Sequence, residues 1–227
     1  MIKGTARSTG IWYLIMGLPA PITLMYIPSR FFVRGDPAAT VAAITSGELV
    51  YRLGILAGIV SSIAFVCLVL SLYRLLKNVD EGHARLMVCL VLIASALGLL
   101  DLVLLLAPLV FVHGTALSAF SRDQLDGLAL VFVRIRAGEI GIVTSLWGLW
   151  LVPLGILVLR SGFIPRFIGI FLLIGGAAYI VLSVTAVVSP ANLNAVSNIA
   201  LPIAGPGELS MMIWLLIKGG KVPLPQA

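Results

Sequence analysis

The chain is short of charge. Only 11% of its 227 residues are Asp, Glu, Lys or Arg, against about 25% in ordinary soluble domains. That is too little polar surface to cover a water-soluble globule of this length, so a bilayer must be part of its solvent. Histidine and cysteine are scarce as well, with two of each. His83 and His113 are far apart, and Cys67 and Cys89 both fall inside apolar runs. This is not the spacing of a zinc site, and the cysteines read as two buried free thiols. No metal and no cofactor are expected. A Gly-rich phosphate loop, a Gly-x-Ser-x-Gly nucleophile elbow and paired helical histidines are all missing. Lysine occurs only near the termini and in one loop, which leaves no candidate for a Schiff base within a bundle.

The net charge is +6, yet no Lys/Arg-rich stretch with interleaved aromatics appears, so nucleic acid is not expected as a partner. The bases instead punctuate the ends of apolar runs, the pattern of membrane insertion. Lys3 and Arg7 precede an apolar stretch as in a signal peptide, but Pro19, Pro21 and Pro28 follow without a small-residue cleavage site. An uncleaved first span is expected.

Apolar residues are abundant: 60% of the chain is hydrophobic and the mean hydropathy is +1.15. The runs predict an all-α polytopic membrane bundle of about six transmembrane helices in a single domain over residues 1–227. The expected spans are 10–27, 48–76, 86–112, 129–159, 167–188 and 202–218, each near the length a bilayer requires. A short interfacial helix is expected over 38–44, and the segment 189–201, with Asn192, Asn194 and Asn198, reads as a polar connection.

Counting bases sets the orientation. Lys3, Arg7, Arg74, Lys77, Arg85, Arg160, Arg166, Lys218 and Lys221 fall on one side; Arg30, Arg34, Arg52, Arg122, Arg134 and Arg136 fall on the other. The richer side should be cytoplasmic, which puts both termini in. Trp12, Tyr13, Tyr73 and Trp214 near that boundary, with Tyr26 and Tyr51 opposite, read as interfacial anchors. Small residues recur at spacings of three or four, Gly54-Gly58-Ser62 and Gly141-Ser145-Gly148, and predict close helix contacts within the bundle or between protomers.

The chain also echoes itself. Arg7-x-x-Gly10-Ile11 recurs as Arg166-x-x-Gly169-Ile170, and Gly47-Glu48-Leu49 recurs as Gly207-Glu208-Leu209. A parallel repeat relating helices 1–2 to helices 5–6 is one reading, and such repeats often frame binding sites in transporters.

These motifs carry a resemblance. Arg7-x-x-Gly10-Ile11-x-Tyr13-Leu14, Gly47-Glu48-x-x-x-Arg52-Leu53-Gly54 and Leu72-Tyr73-x-Leu75-Leu76 come first. The segment from Arg160 to Arg166 (RSGFIPR) follows, then Gly207-Glu208-Leu209 and Trp214-Leu215-x-Ile217-Lys218-Gly219. In order and spacing the chain resembles the bacterial integral-membrane family catalogued as domain of unknown function DUF4386. The resemblance implies a multi-span protein of the bacterial inner membrane and brings no activity with it.

Ionisable residues inside apolar runs are costly in lipid and often mark function. Glu48 and Arg52 open the second span at i,i+4, Asp101 lies along the third, Arg136 and Glu139 open the fourth, and Glu208 sits early in the sixth. All are expected in the outer half of the membrane. The four acids outnumber the bases Arg52 and Arg136, and still do so if Arg134 joins them. If they converge, an acid is left over, and a buried acid without a base must take up a proton or a cation. Three function classes follow. The first is a protein that binds or moves a small solute or cation through an outward-facing polar pocket built from Glu48, Arg52, Asp101, Arg136, Glu139 and Glu208. The second is an accessory subunit, alone as a homo-oligomer or with a membrane partner, whose charges neutralise one another. The third is an intramembrane enzyme on a lipid-like substrate, less favoured because no nucleophile motif is present.

Overall fold

A computed structural model describes residues 2–113 and 119–218, with the side chains of 2–5 left aside. The side chain of Lys3, and Gly219 and Lys221, lie outside the described residues. Helices are the only regular elements among those described. Six are long and apolar enough to cross a membrane: Ala6–Phe31, Glu48–Leu76, Glu81–His113, Arg122–Ser161, Arg166–Val188 and Pro190–Lys218.

The first span is built from three pieces. Helix α1 (Ile2–Gly17) is followed by a π-helical turn (Ile22–Tyr26) and a short α2 (Ile27–Phe31). Pro19, Pro21 and Pro28 explain the break, since each withholds a backbone donor from the preceding turn. Helix α3 (Pro37–Ser46) starts at Asp36, whose side chain accepts the Ala39 amide at 2.9 Å, with Pro37 at its first position. Both are favoured helix-start residues. The remaining spans are α4 (Glu48–Leu76), α5 (Glu81–His113), α6 (Arg122–Ser161), α7 (Arg166–Val188) and α8 (Leu193–Lys218). Ser121 and Gln124 form a capping box at the start of α6, and Gly162, at φ 72°, ends it in the left-handed region that favours glycine.

The spans close a ring. In chain order each packs on the next, α1 on α4, α4 on α5, α5 on α6, α6 on α7 and α7 on α8, and α8 returns to α1. Helix α4 shows how such a ring meets lipid. Leu49, Leu53, Leu56, Val60, Ile63 and Leu70 are exposed at helical spacing, while Tyr51, Gly54, Ile55, Gly58, Leu68 and Leu72 are buried on the other face. A helix apolar on both faces has no polar side for water.

The tightest seam is between α6 and α7. A Cβ at Gly148 would lie 2.5 Å from the Gly176 carbonyl oxygen, and one at Gly169 would lie 2.9 Å from that of Gly155. The two glycine pairs are seven residues apart on each helix, so the backbones themselves touch at two levels. The stripe Gly54-Gly58 likewise serves the bundle interior: a Cβ at Gly54 would lie 2.7 Å from the Ile27 side chain. Gly141 faces Ala186 on α7.

Several expectations change. The sixth helix begins at Leu193, not near 202, so most of the segment read as a connection is helical and Glu208 lies deep within the span. By helical rise it is about 22 Å from the helix start. The fourth helix begins at Arg122, so Arg136 and Glu139 do not open it; Arg136 lies about 21 Å along. Tyr13 and Tyr51 are not interfacial anchors, being 2% and 0% exposed. Tyr51 stands edge-on to Phe31 and donates its hydroxyl to the Leu105 carbonyl at 2.7 Å. Both cysteines are free thiols, but Cys89 is exposed and Cys67 half-buried.

At the end carrying the 77–80 turn, Asp80 ties two connections together. It accepts the His83 backbone amide at 3.1 Å, contacts the His83 ring and pairs with Arg160 from the end of α6. The His83 amide and ring, with the Arg160 guanidinium, hold the Asp80 carboxyl below its usual range.

Candidate functional site

The spans line a cavity of about 200 Å³ to which all six contribute. Its most buried charges form an ion pair. Arg136 on α6 is 2% exposed and Asp101 on α5 is 8% exposed. Arg136 Nη2 donates to Asp101 Oδ2 at 3.0 Å, and Nε lies 2.9 Å from Oδ1. The same guanidinium donates to the Thr23 carbonyl at 3.1 Å.

That third bond depends on the π-helical turn. In the i→i+5 register, the Ile27 amide goes to the Ile22 carbonyl. The amide due to Thr23 would be that of residue 28, which is proline and has no N–H. The Thr23 carbonyl is therefore left for a side chain, and at membrane depth such a carbonyl must find a partner. Arg136 supplies it, so one guanidinium ties α5, α6 and the broken first span together. Nearby, Ser61 donates its hydroxyl to the Met16 carbonyl at 2.7 Å, beside the Pro19–Pro21 break.

Glu139 follows Arg136 by one turn on α6. It lies close enough to Asp101 and Arg136 to feel both charges. Both of its carboxylate oxygens are buried, neither accepts from a donor group among the described residues, and the carboxyl lies within hydrogen-bonding reach of that of Asp101. Asp101 and Glu139 each line the cavity, as does the hydroxyl-bearing Ser95, whose Oγ is also buried and unpartnered.

The cavity has a second acidic group. Glu208 on α8 accepts from the Tyr13 hydroxyl at 3.5 Å and from the Tyr179 hydroxyl at 3.3 Å. Each tyrosine rests on a tryptophan of α6: Tyr13 on Trp150, with centroids 6.5 Å apart, and Tyr179 on Trp147, 6.3 Å apart and edge-on. Phe65 from α4 stands edge-on to Trp150 at 5.2 Å. Trp147, Trp150, Tyr179 and Phe65 all line the cavity.

Among the described residues, the wall therefore carries three carboxylates, from Asp101, Glu139 and Glu208, and no lysine, arginine or histidine. Arg136 sits behind Asp101 and is not part of the lining. Even with that one base counted, two carboxylates lack a basic partner. Buried acids without a base take up either a proton or a cation, so the wall offers places for positive charge and none for negative.

Of the six residues singled out in the sequence, four meet at this cavity or directly behind it: Asp101, Arg136, Glu139 and Glu208. Glu48 and Arg52 do not join them. Arg52 Nε donates to Glu48 Oε1 at 2.6 Å, and His113 lies 3.1 Å from the same carboxylate, in an exposed cluster at one end of the ring. The two Gly-Glu-Leu motifs thus differ in setting, since Glu48 begins a helix while Glu208 is well inside one. Sequence reasoning missed Tyr179, Ser95, Trp147 and Trp150, none of which carries a charge to betray it. It also misplaced Tyr13, although the position of Tyr13 one turn after Gly10 was visible.

Among the curated proteins and the solved structures, nothing matches the chain. A protein-family model does, over residues 8–219, a stretch that takes in every residue of the cavity. The chain belongs to the family described as domain of unknown function DUF4386.

Proposed function

We propose that the protein binds a small cation in the cavity at the centre of its six-helix ring. The observation that carries this reading is the lining itself: three carboxylates and no basic side chain. A mid-bundle site reached from several helices is also the usual position of a substrate site in membrane carriers. Movement of the bound cation across the bilayer extends the same reading. The end bearing the 77–80 turn and the 161–165 connection, richer in Lys and Arg, faces the cytoplasm by the positive-inside rule, and the membrane is the bacterial inner one.

An accessory role has one observation in its favour. Asp101 and Arg136 neutralise each other and join three spans, as a purely structural pair would. Glu139 and Glu208 go beyond that role, because neither has a base to neutralise it.

The test is a thermal-unfolding series on the purified chain in detergent with sodium, potassium, ammonium and tetramethylammonium chlorides. A ligand at 100 times its Kd stabilises the folded state by about 2.7 kcal/mol, which should raise the wild-type midpoint by several degrees for at least one cation. E139Q and E208Q should each lose most of that rise. No response to any cation in the wild type, or wild-type responses in both variants, would remove this proposal.

A further inference from the structure

We propose that the guest is a small organic ammonium compound, seated with its charged head at the Glu208 end of the cavity. This rests on the cation reading above and narrows it to a chemical class. Among the described residues, no three His, Cys, Asp or Glu side chains gather closely enough to hold a metal ion. Asp101 and Glu139 are neighbours, but Glu208 does not join them in a coordination shell. Much of the rest of the lining is aromatic: Phe65, Trp147, Trp150 and Tyr179 line the cavity, and the last is bonded to Glu208. Carboxylate and ring faces together are how proteins recognise ammonium groups, because the ring quadrupole attracts a cation that is too weakly hydrated to need full oxygen coordination.

Two further observations bear on the guest. Ser95 is 6% exposed, and its hydroxyl lines the cavity without a partner among the described residues. It remains available to a polar group on the guest. The lining has no base to receive an anionic group, which disfavours zwitterions and selects a guest with positive charge alone. A cavity of about 150 Å³ holds benzene, so one of about 200 Å³ accepts a compound of roughly six to eight non-hydrogen atoms.

The experiment titrates the purified full chain with tetramethylammonium chloride, its uncharged isostere tert-butanol, and sodium chloride, reading tryptophan fluorescence and heat of binding. Tetramethylammonium should saturate at concentrations where tert-butanol and sodium do not. W147L should lower its affinity about tenfold, and W147F, which keeps an aromatic ring, should retain most of it. Saturation by sodium but not by tetramethylammonium would overturn the ammonium proposal and leave the cation reading standing. Binding of neither would overturn both. Equal tetramethylammonium affinity in wild type, W147L and W147F, with loss in E208Q, would overturn the aromatic part. The comparison of tetramethylammonium with sodium is made on the wild type, so it decides the class even if W147L does not fold.

Discussion

Arg136→Ala is expected to cost about 3–5 kcal/mol of stability, because removing one partner of a buried ion pair leaves the other uncompensated. Two groups lose their support at once: Asp101 and the Thr23 carbonyl. The double variant D101L/R136M separates these effects. Replacing a buried ion pair by apolar side chains is often neutral or stabilising, so the double variant should recover much of the loss. It should still fall short of the wild type, because the Thr23 carbonyl remains without a donor, at about 1–3 kcal/mol. Reversible unfolding in a mixed-detergent titration checks the order: wild type, then D101L/R136M, then R136A. If R136A unfolds at the wild-type midpoint, Arg136 does not hold the first span to α5 and α6.

The second large effect belongs to the α6–α7 seam. Gly148→Val would place its Cβ 2.5 Å from the Gly176 carbonyl oxygen, a backbone atom that moves only if the helices part. Overpacking of this kind costs about 1–3 kcal/mol and sometimes more. Here the parting helices also carry Trp147, Trp150 and Tyr179, so the cavity wall is disturbed with them. G148V should therefore unfold earlier and lose cation stabilisation together. By contrast, Gly138→Ala, on the same helix with nothing within 4 Å of its Cβ, should be nearly silent or slightly stabilising, since alanine favours the helix. Equal midpoints for G148V and G138A would mean that the seam is looser than described.

Much of this architecture was legible in the residues. Long apolar runs with bases at their ends announce membrane helices, and the second of them was read with its observed limits, Glu48 to Leu76. Asp101, Arg136, Glu139 and Glu208 stood out because charge within an apolar run has few reasons to exist. What could not be read has physical causes. Residues 193–201 are polar enough to resemble a loop, and Pro202 and Pro206 lie just beyond them, yet α8 continues through both prolines. Helix packing in a membrane can tolerate the lost donors, and no local rule announces when it does. Because that helix starts early, Glu208 moves from a helix end to the bundle interior.

The tyrosines were ambiguous for another reason. A ring with one hydroxyl suits the interface of a bilayer and suits a buried hydrogen bond equally well. Only the position of Glu208 shows that Tyr13 does the second. Arg136 was identified, but its third partner was not. The Thr23 carbonyl becomes available only through the conjunction of a π-helical turn with Pro28, and the register of that turn is a property of the fold. Glu48 and Arg52 illustrate the opposite case. Their i,i+4 spacing correctly implied a pair, and it is one that satisfies itself at the end of the ring.

The central claim is that carboxylates lining the cavity hold one cation per chain. Its most direct test is an equilibrium titration that counts bound cation on the wild type and on E139Q/E208Q, both confirmed folded by their helical content and monodisperse elution. The account predicts one saturable site per wild-type chain and none in the double variant. A wild type that binds no cation, or a double variant that binds as the wild type does, would contradict it.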